Sequence, residues 1–258
     1  MSRGAPLQQA FAAALLSLLA ACSTVPVPSS PSRVADPEEA WARVLASYVD
    51  KQGRVDFAGL ATHRTDLDSY VAYVAATPPD RIADPKRRLA YLVNAYNALS
   101  MYNVLDSGIP ERLGVFGRVQ FFWLKRVIVG GKAISLYDLE NEKIRPVGDE
   151  RVHFALNCMS VSCPRLPQVP FDGTNLDRQF DAAAHAFFAE PRNLMIDPSR
   201  REVWLSEILS FYTKDFLRQA PSLVDYVDRW RDDQLPKGYE IRFFPYDWTI
   251  NRQPEIDA

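Results

Sequence analysis

The chain of 258 residues has only three histidines and three cysteines. Two of the cysteines stand close together and no His-rich pair accompanies them, so a zinc centre is not expected. There is no phosphate loop, no dinucleotide fingerprint and no nucleophile elbow. Surplus positive charge is also lacking. The net charge is −2 and the isoelectric point near 6.0, so no basic face advertises nucleic acid or anionic lipid. No internal repeat is detectable. Together these absences leave a folded domain of ordinary composition, for which no cofactor is expected, and they set no substrate class.

What is present begins near the N-terminus. Arg3 precedes the apolar run Phe11 to Leu19, which meets small residues at Leu19-Ala20-Ala21-Cys22. A positive start, a short apolar core and a small-residue cleavage site form a secretory signal. The core is too short for a stable transmembrane helix. The final four residues resemble a lipobox, which implies a lipid on the Cys22 thiol and cleavage after Ala21. The expected address is the bacterial envelope, at the periplasmic face of the outer membrane, with the membrane as a partner through Cys22. Residues 1–21 then form the signal peptide. Residues 22–36, rich in Pro and Ser, read as a solvated tether, and residues 37–258 as one globular domain.

Inside that domain, Asp36-Pro37-Glu38-Glu39 is a helix start, with Trp41, Val44, Leu45 and Tyr48 on one stripe. A second helix is expected over Asp66–Ala76. A third, from about Lys86 to Leu105, is apolar around most of its circumference and must be buried on several sides. Gly130-Gly131 between short apolar runs predicts a hairpin. Arg151–Cys158 reads as a buried strand, Leu176–Ala189 as a helix, Val203–Leu205 as a strand, Ile208–Leu217 as a helix and Tyr239–Phe244 as a terminal strand. Helices and strands alternate without a βα repeat. The expected class is α+β, helix-rich, on a small mixed or antiparallel sheet.

Chemistry is expected in two places. Asn94 and Asn97 share a face of the buried helix, and each must find partners or cost about 1–3 kcal/mol. They serve either as clamps on a neighbouring loop or as the polar floor of a cleft. The second place is His153 through Cys163, with an imidazole, two thiols and two hydroxyls. On a regular strand His153 and Cys158 would face opposite sides about 16 Å apart, which argues against a simple Cys–His pair. In an oxidising compartment Cys158 and Cys163 are expected to form a disulfide, whose short loop contributes only about 2 kcal/mol. Redox-active thiols and a catalytic cysteine stay open as alternatives, with Arg165 the cation that could activate a thiol. His63 and His185 read as surface residues. Phe121, Phe122 and Trp123 read either as core or as an exposed partner patch.

Several motifs occur in the order of a known family. Asn94-Ala95-Tyr96-Asn97, Ile134-Ser135-Leu136 with Glu140, and Ile144-Arg145-Pro146 are three of them. His153-Phe154-Ala155-Leu156-Asn157-Cys158 through Cys163-Pro164, then Leu205-Ser206, Phe211-Tyr212 and Asp215-Phe216, continue the series. This stretch, about 88–216, resembles the domain of unknown function 547 family, and Pro245-Tyr246-Asp247-Trp248 resembles a frequent extension of it. The family name implies a domain without implying a chemistry. A polar buried helix beside a His-bearing strand is also loosely similar to papain and transglutaminase folds, but this helix carries no cysteine. The expected site is therefore a cleft of His153, Glu140, Asn94 and Asn97 that binds or hydrolyses an envelope-derived molecule. An interaction or scaffold protein, with a small molecule or envelope protein as partner, and a thiol-redox protein are the alternatives.

Overall fold

The centre of the molecule is a helix of Pro85–Asp106. Asp84 caps it through the Arg87 amide, and Pro85 occupies the first turn, where its missing N–H costs nothing. Every residue from Leu89 to Leu105 is buried, as its all-round apolar pattern requires. In the computed structural model, which describes residues 23–29 and 36–254, the fold is α+β and helix-rich. Numbering the elements in chain order, α1 is Pro37–Tyr48, α2 Phe57–Thr62, α3 Thr65–Ala76 and α4 the central helix. Trp41 of α1 stacks on Tyr70 of α3, and the α1–α3 pair covers one side of α4.

Two small sheets flank this bundle. β1 (Arg126–Val129) and β2 (Lys132–Ser135) form the hairpin expected from Gly130-Gly131. Both glycines have positive φ, 57° and 79°, as a two-residue turn of matching twist demands. A Cβ on Gly130 would sit 2.5 Å from the Pro78 Cα, so the turn also needs glycine for space. The second sheet has β3 (Leu194–Asp197) antiparallel to β4 (Glu202–Ser206), which pairs in parallel with β5 (Glu240–Phe244). Its core joins Phe187, Phe188, Val203, Leu205, Phe216 and Tyr226.

Three local readings are corrected. Arg151–Cys158 is not a strand. Glu150–Phe154 is a 3₁₀ turn, opened by the Asp149 side chain accepting from the Arg151 amide, and an irregular loop follows. The run is apolar because it is buried on all sides, and burial alone does not distinguish strand from coil. Ile208–Leu217 is two short helices, Ile208–Phe211 and Thr213–Phe216, broken at Tyr212, whose ψ of 23° leaves the helical range. Ser23–Ser29 does not hang in solvent. Thr24 makes a parallel bridge to Arg126, Val25 is buried, and Tyr102 donates to the Pro26 carbonyl. The apolar Val25 is the reason: its burial in the core offsets the cost of ordering the segment, and the neighbouring prolines already favour the extended backbone of the bridge. The signal segment, Cys22 and residues 30–35 of the tether lie outside the described residues.

Candidate functional site

A cavity of about 70 Å³ sits where α4, the loops after β2 and the thiol loop meet. That is room for a few water molecules or one small functional group. Each wall is supplied by a different stretch of chain. Tyr96 comes from α4, and Glu140 from a π-type turn, Leu139–Ile144, that follows the short helix Leu136–Asp138. Ser135 caps that helix through the Asp138 amide. His153 comes from the 3₁₀ turn, Cys158 and Cys163 from the loop beyond it, Tyr212 from the break between the short helices, and Tyr246 from the C-terminal loop.

His153 is held on two sides. Its Nε2 lies 2.9 Å from Asp215 Oδ2, and its ring stacks on Tyr212 at 3.8 Å between centroids. Asp215 also takes Arg145 at 2.8 Å and Arg218 at 2.9 Å. Burial opposes ionisation of Asp215, but the His153 hydrogen bond and the Arg145 guanidinium outweigh it and hold the carboxyl well below the usual range. An ionised carboxylate only accepts, so Nε2 carries the proton of this hydrogen bond. Nδ1 makes no hydrogen bond to a described residue.

Glu140 faces the same space. Tyr96 donates to its Oε2 at 3.3 Å, whereas Oε1 is buried and has no partner among the described residues. Burial, with the Glu140 charge second, pushes the Tyr96 and Tyr212 phenols well up, so both stay protonated as donors. A buried carboxylate oxygen is costly to leave unpaired, so Oε1 is a strong acceptor aimed at whatever enters this space.

The thiol loop forms the remaining wall. Cys158 and Cys163 are free thiols with sulfurs 2.9 Å apart, so the expected disulfide is not present as a bond, which would be ~2.05 Å long. The Cys158 amide (3.1 Å), the Ser160 hydroxyl (3.3 Å) and the Tyr246 hydroxyl (3.3 Å) also converge on the Cys163 sulfur. Burial works against the Cys163 thiolate, but side-chain hydrogen bonds, led by that of the Cys158 thiol and followed by Ser160 and Tyr246, bring its pKa down, while Cys158 is pushed well up by its bond to Cys163 and by burial. Between the two, Met159 adopts a φ of 66°, a left-handed conformation uncommon for a side chain of this size. Arg165 takes no part; it pairs with Glu190.

The asparagines of α4 lie behind this wall and do not line the cavity. Asn97 donates to the Ala155 carbonyl at 3.0 Å and accepts from the Asn157 amide at 2.8 Å. Asn157 in turn donates to the Pro164 carbonyl and accepts from the Met159 amide, which shapes the thiol loop. Asn94 does the same for Phe171, donating to its carbonyl and accepting from its amide, and takes Trp41 Nε1 at 3.3 Å. Both amides act as clamps on neighbouring backbone. His63 and His185 are exposed, and His185 Nδ1 lies 2.9 Å from the Trp230 carbonyl.

The cavity therefore joins His153, Glu140 and the thiols, and the strand geometry that separated His153 from Cys158 does not apply. Sequence reasoning assigned no role to Asp215, Tyr212, Tyr96 or Tyr246. All four fall in quoted motifs, and only the fold shows that they converge. Through Phe122, Glu140, Phe211, Tyr212 and Trp248 the cavity shares its wall with an open groove of about 530 Å³, a size usual for ligand sites. Among the described residues no group of three or more His, Cys, Asp or Glu side chains is placed to hold a metal ion.

No curated protein and no solved structure matches the chain. A family model does: residues 81–188 match "Protein of unknown function, DUF547". That match covers Tyr96, Glu140, His153 and both thiols, and stops short of Tyr212, Asp215 and Tyr246. On this ground, and in agreement with the order of its motifs, the chain carries a DUF547 domain.

Proposed function

We propose that this chain is a bacterial envelope lipoprotein, anchored through Cys22, that binds an envelope-derived molecule in the open groove and hydrolyses it in the adjoining cavity. The observation that carries the reading is the placement of Glu140 and Tyr212 on the wall between groove and cavity, with His153 behind them. A ligand lying in the groove reaches this wall with one polar group. His153, oriented by Asp215 through Nε2, offers Nδ1 as the base for a water in the cavity, and the proton gained there is stabilised by the Asp215 carboxylate. Glu140 Oε1 is free to accept a hydrogen bond from the bound group, while Tyr96 secures the other oxygen.

A thermal-shift screen against envelope metabolites and peptidoglycan fragments tests this. A fragment that raises the melting temperature of the wild type should not raise that of Glu140→Gln, and its hydrolysis product should be missing with His153→Ala. A screen without any shift, or shifts and product that both variants retain, would overturn the reading.

One observation favours a second reading, a thiol-redox protein. The two sulfurs are 2.9 Å apart, and their environments push the two pKa values in opposite directions. An asymmetric pair of this kind suits reversible closure to a disulfide in an oxidising compartment. Counting free thiols on protein taken from the envelope, before any reductant is added, separates the two readings.

A further inference from the structure

The groove opens on an apolar face. Val115 and Phe116, on α5 (Val115–Val119), are 73% and 74% exposed, and Val119, Trp123 and Tyr137 are exposed beside them. Trp123 and Tyr137 stack at 5.1 Å with both rings reaching solvent. Four of these five side chains line the groove. A contiguous apolar patch around a ligand groove marks an interaction surface rather than chance exposure.

The chain itself indicates what covers it. The Arg126 amide donates to the Ser23 carbonyl, and the Val25 amide donates to the Arg126 carbonyl. The bridge is parallel, so Ser23 lies on the Lys125 side of Arg126. Trp123 is three residues from Arg126, so their Cα atoms lie within about 11 Å. Ser23 is the residue after Cys22. A lipid on the residue before Ser23 would therefore leave the protein on the same side as this patch.

We infer that the Val115–Tyr137 face docks on the membrane surface and that the groove takes the acyl tail of a bilayer amphiphile, whose polar group then meets Glu140 and His153. The proposal rests on the anchored-hydrolase reading above and names its substrate class. Trp and Tyr are the residues that settle at a membrane–water boundary, and Trp123 and Tyr137 stand at the mouth. Arg118, on the groove wall, lies over the Trp248 ring at 4.7 Å and forms no ion pair among the described residues. It is available to a lipid phosphate.

Two measurements test the inference. The lipidated full chain is placed in vesicles of phosphatidylethanolamine and phosphatidylglycerol with brominated acyl chains, which quench a tryptophan at the bilayer. Quenching should occur, fall in Trp123→Phe, where only Trp248 of the groove is left to report it, and be lost in Phe116→Asp, while Trp204→Phe keeps it in full. Quenching that Trp123→Phe leaves unchanged would overturn the docking. Monomeric lysophosphatidylethanolamine should raise the melting temperature of the wild type and of Val147→Asp, a control at an exposed valine outside the groove, but not of Val119→Asp. No shift in the wild type, or an equal shift in Val119→Asp, would overturn the tail site. Neither readout involves hydrolysis. Quenching and tail binding without product would sink the hydrolase and leave this face standing, whereas product without quenching would do the reverse.

Discussion

His153 Nε2 and Asp215 Oδ2, 62 positions apart in sequence, meet at 2.9 Å inside the protein. The pair fixes which imidazole nitrogen carries the proton. Asp215→Asn should leave Arg145 and Arg218 without their carboxylate and free the ring to turn. The expected cost is about 2 kcal/mol, read as a lower urea midpoint, together with loss of turnover. An unchanged midpoint would mean the guanidiniums find full compensation in solvent.

The same carboxylate gives stability an acid edge. Its folded pKa lies below the unfolded value, so the folded state binds fewer protons than the unfolded state as pH falls through the usual carboxylate range. Its contribution is present above the unfolded pKa near ~4 and is lost as pH falls toward the folded pKa. Asp50, Asp138, Asp172 and Asp177 are lowered as well, so Asp215→Asn should flatten the acid limb of a stability profile without abolishing it. Identical limbs in wild type and variant would contradict the assignment.

Glu140→Gln separates function from stability. The carboxylate is buried with one oxygen unpartnered, a cost that an amide lowers by removing the charge. Stability should hold or rise by about 1 kcal/mol while ligand binding falls. A clear loss of stability would assign Glu140 to the scaffold instead.

Asn97→Ala should behave in the opposite way. It strands the Ala155 carbonyl and the Asn157 amide, both in buried backbone. A loss of about 2–3 kcal/mol is expected by urea titration. Asn94→Ala, which frees both backbone groups of Phe171, should cost a similar amount while leaving the His153 environment intact by NMR.

In reduced protein Cys163, with its lowered pKa, should alkylate faster than Cys158 at neutral pH once a small reagent reaches the cavity. Tyr246→Phe removes one donor to that sulfur and should slow the reaction. Peptide mass mapping reads both effects. Equal rates at the two sulfurs would remove the asymmetry on which the redox reading depends.

What the sequence by itself determined is whatever short-range pattern can specify. The cap and proline at Asp84-Pro85 and the apolar run to Leu105 define the central helix, because helix signals act over one or two turns. Gly130-Gly131 defines the hairpin, because only glycine accepts two successive positive φ values so readily. The α+β class follows from the order of such elements. The 3₁₀ turn at His153 was hidden because a segment buried on all sides carries no period to read. The site was hidden for a different reason. Tyr96, Glu140, His153, Asp215 and Tyr246 are spread over some 150 positions, and neither spacing nor composition says that they will meet. Tertiary packing decided that, through the Asn97–Asn157 clamp that shapes the thiol loop and the C-terminal loop, whose Asp247 amide donates to Ser162 and whose Thr249 carbonyl accepts from the Val161 amide. Those contacts are hydrogen bonds between residues far apart in sequence, and they form only when a single arrangement satisfies them all at once.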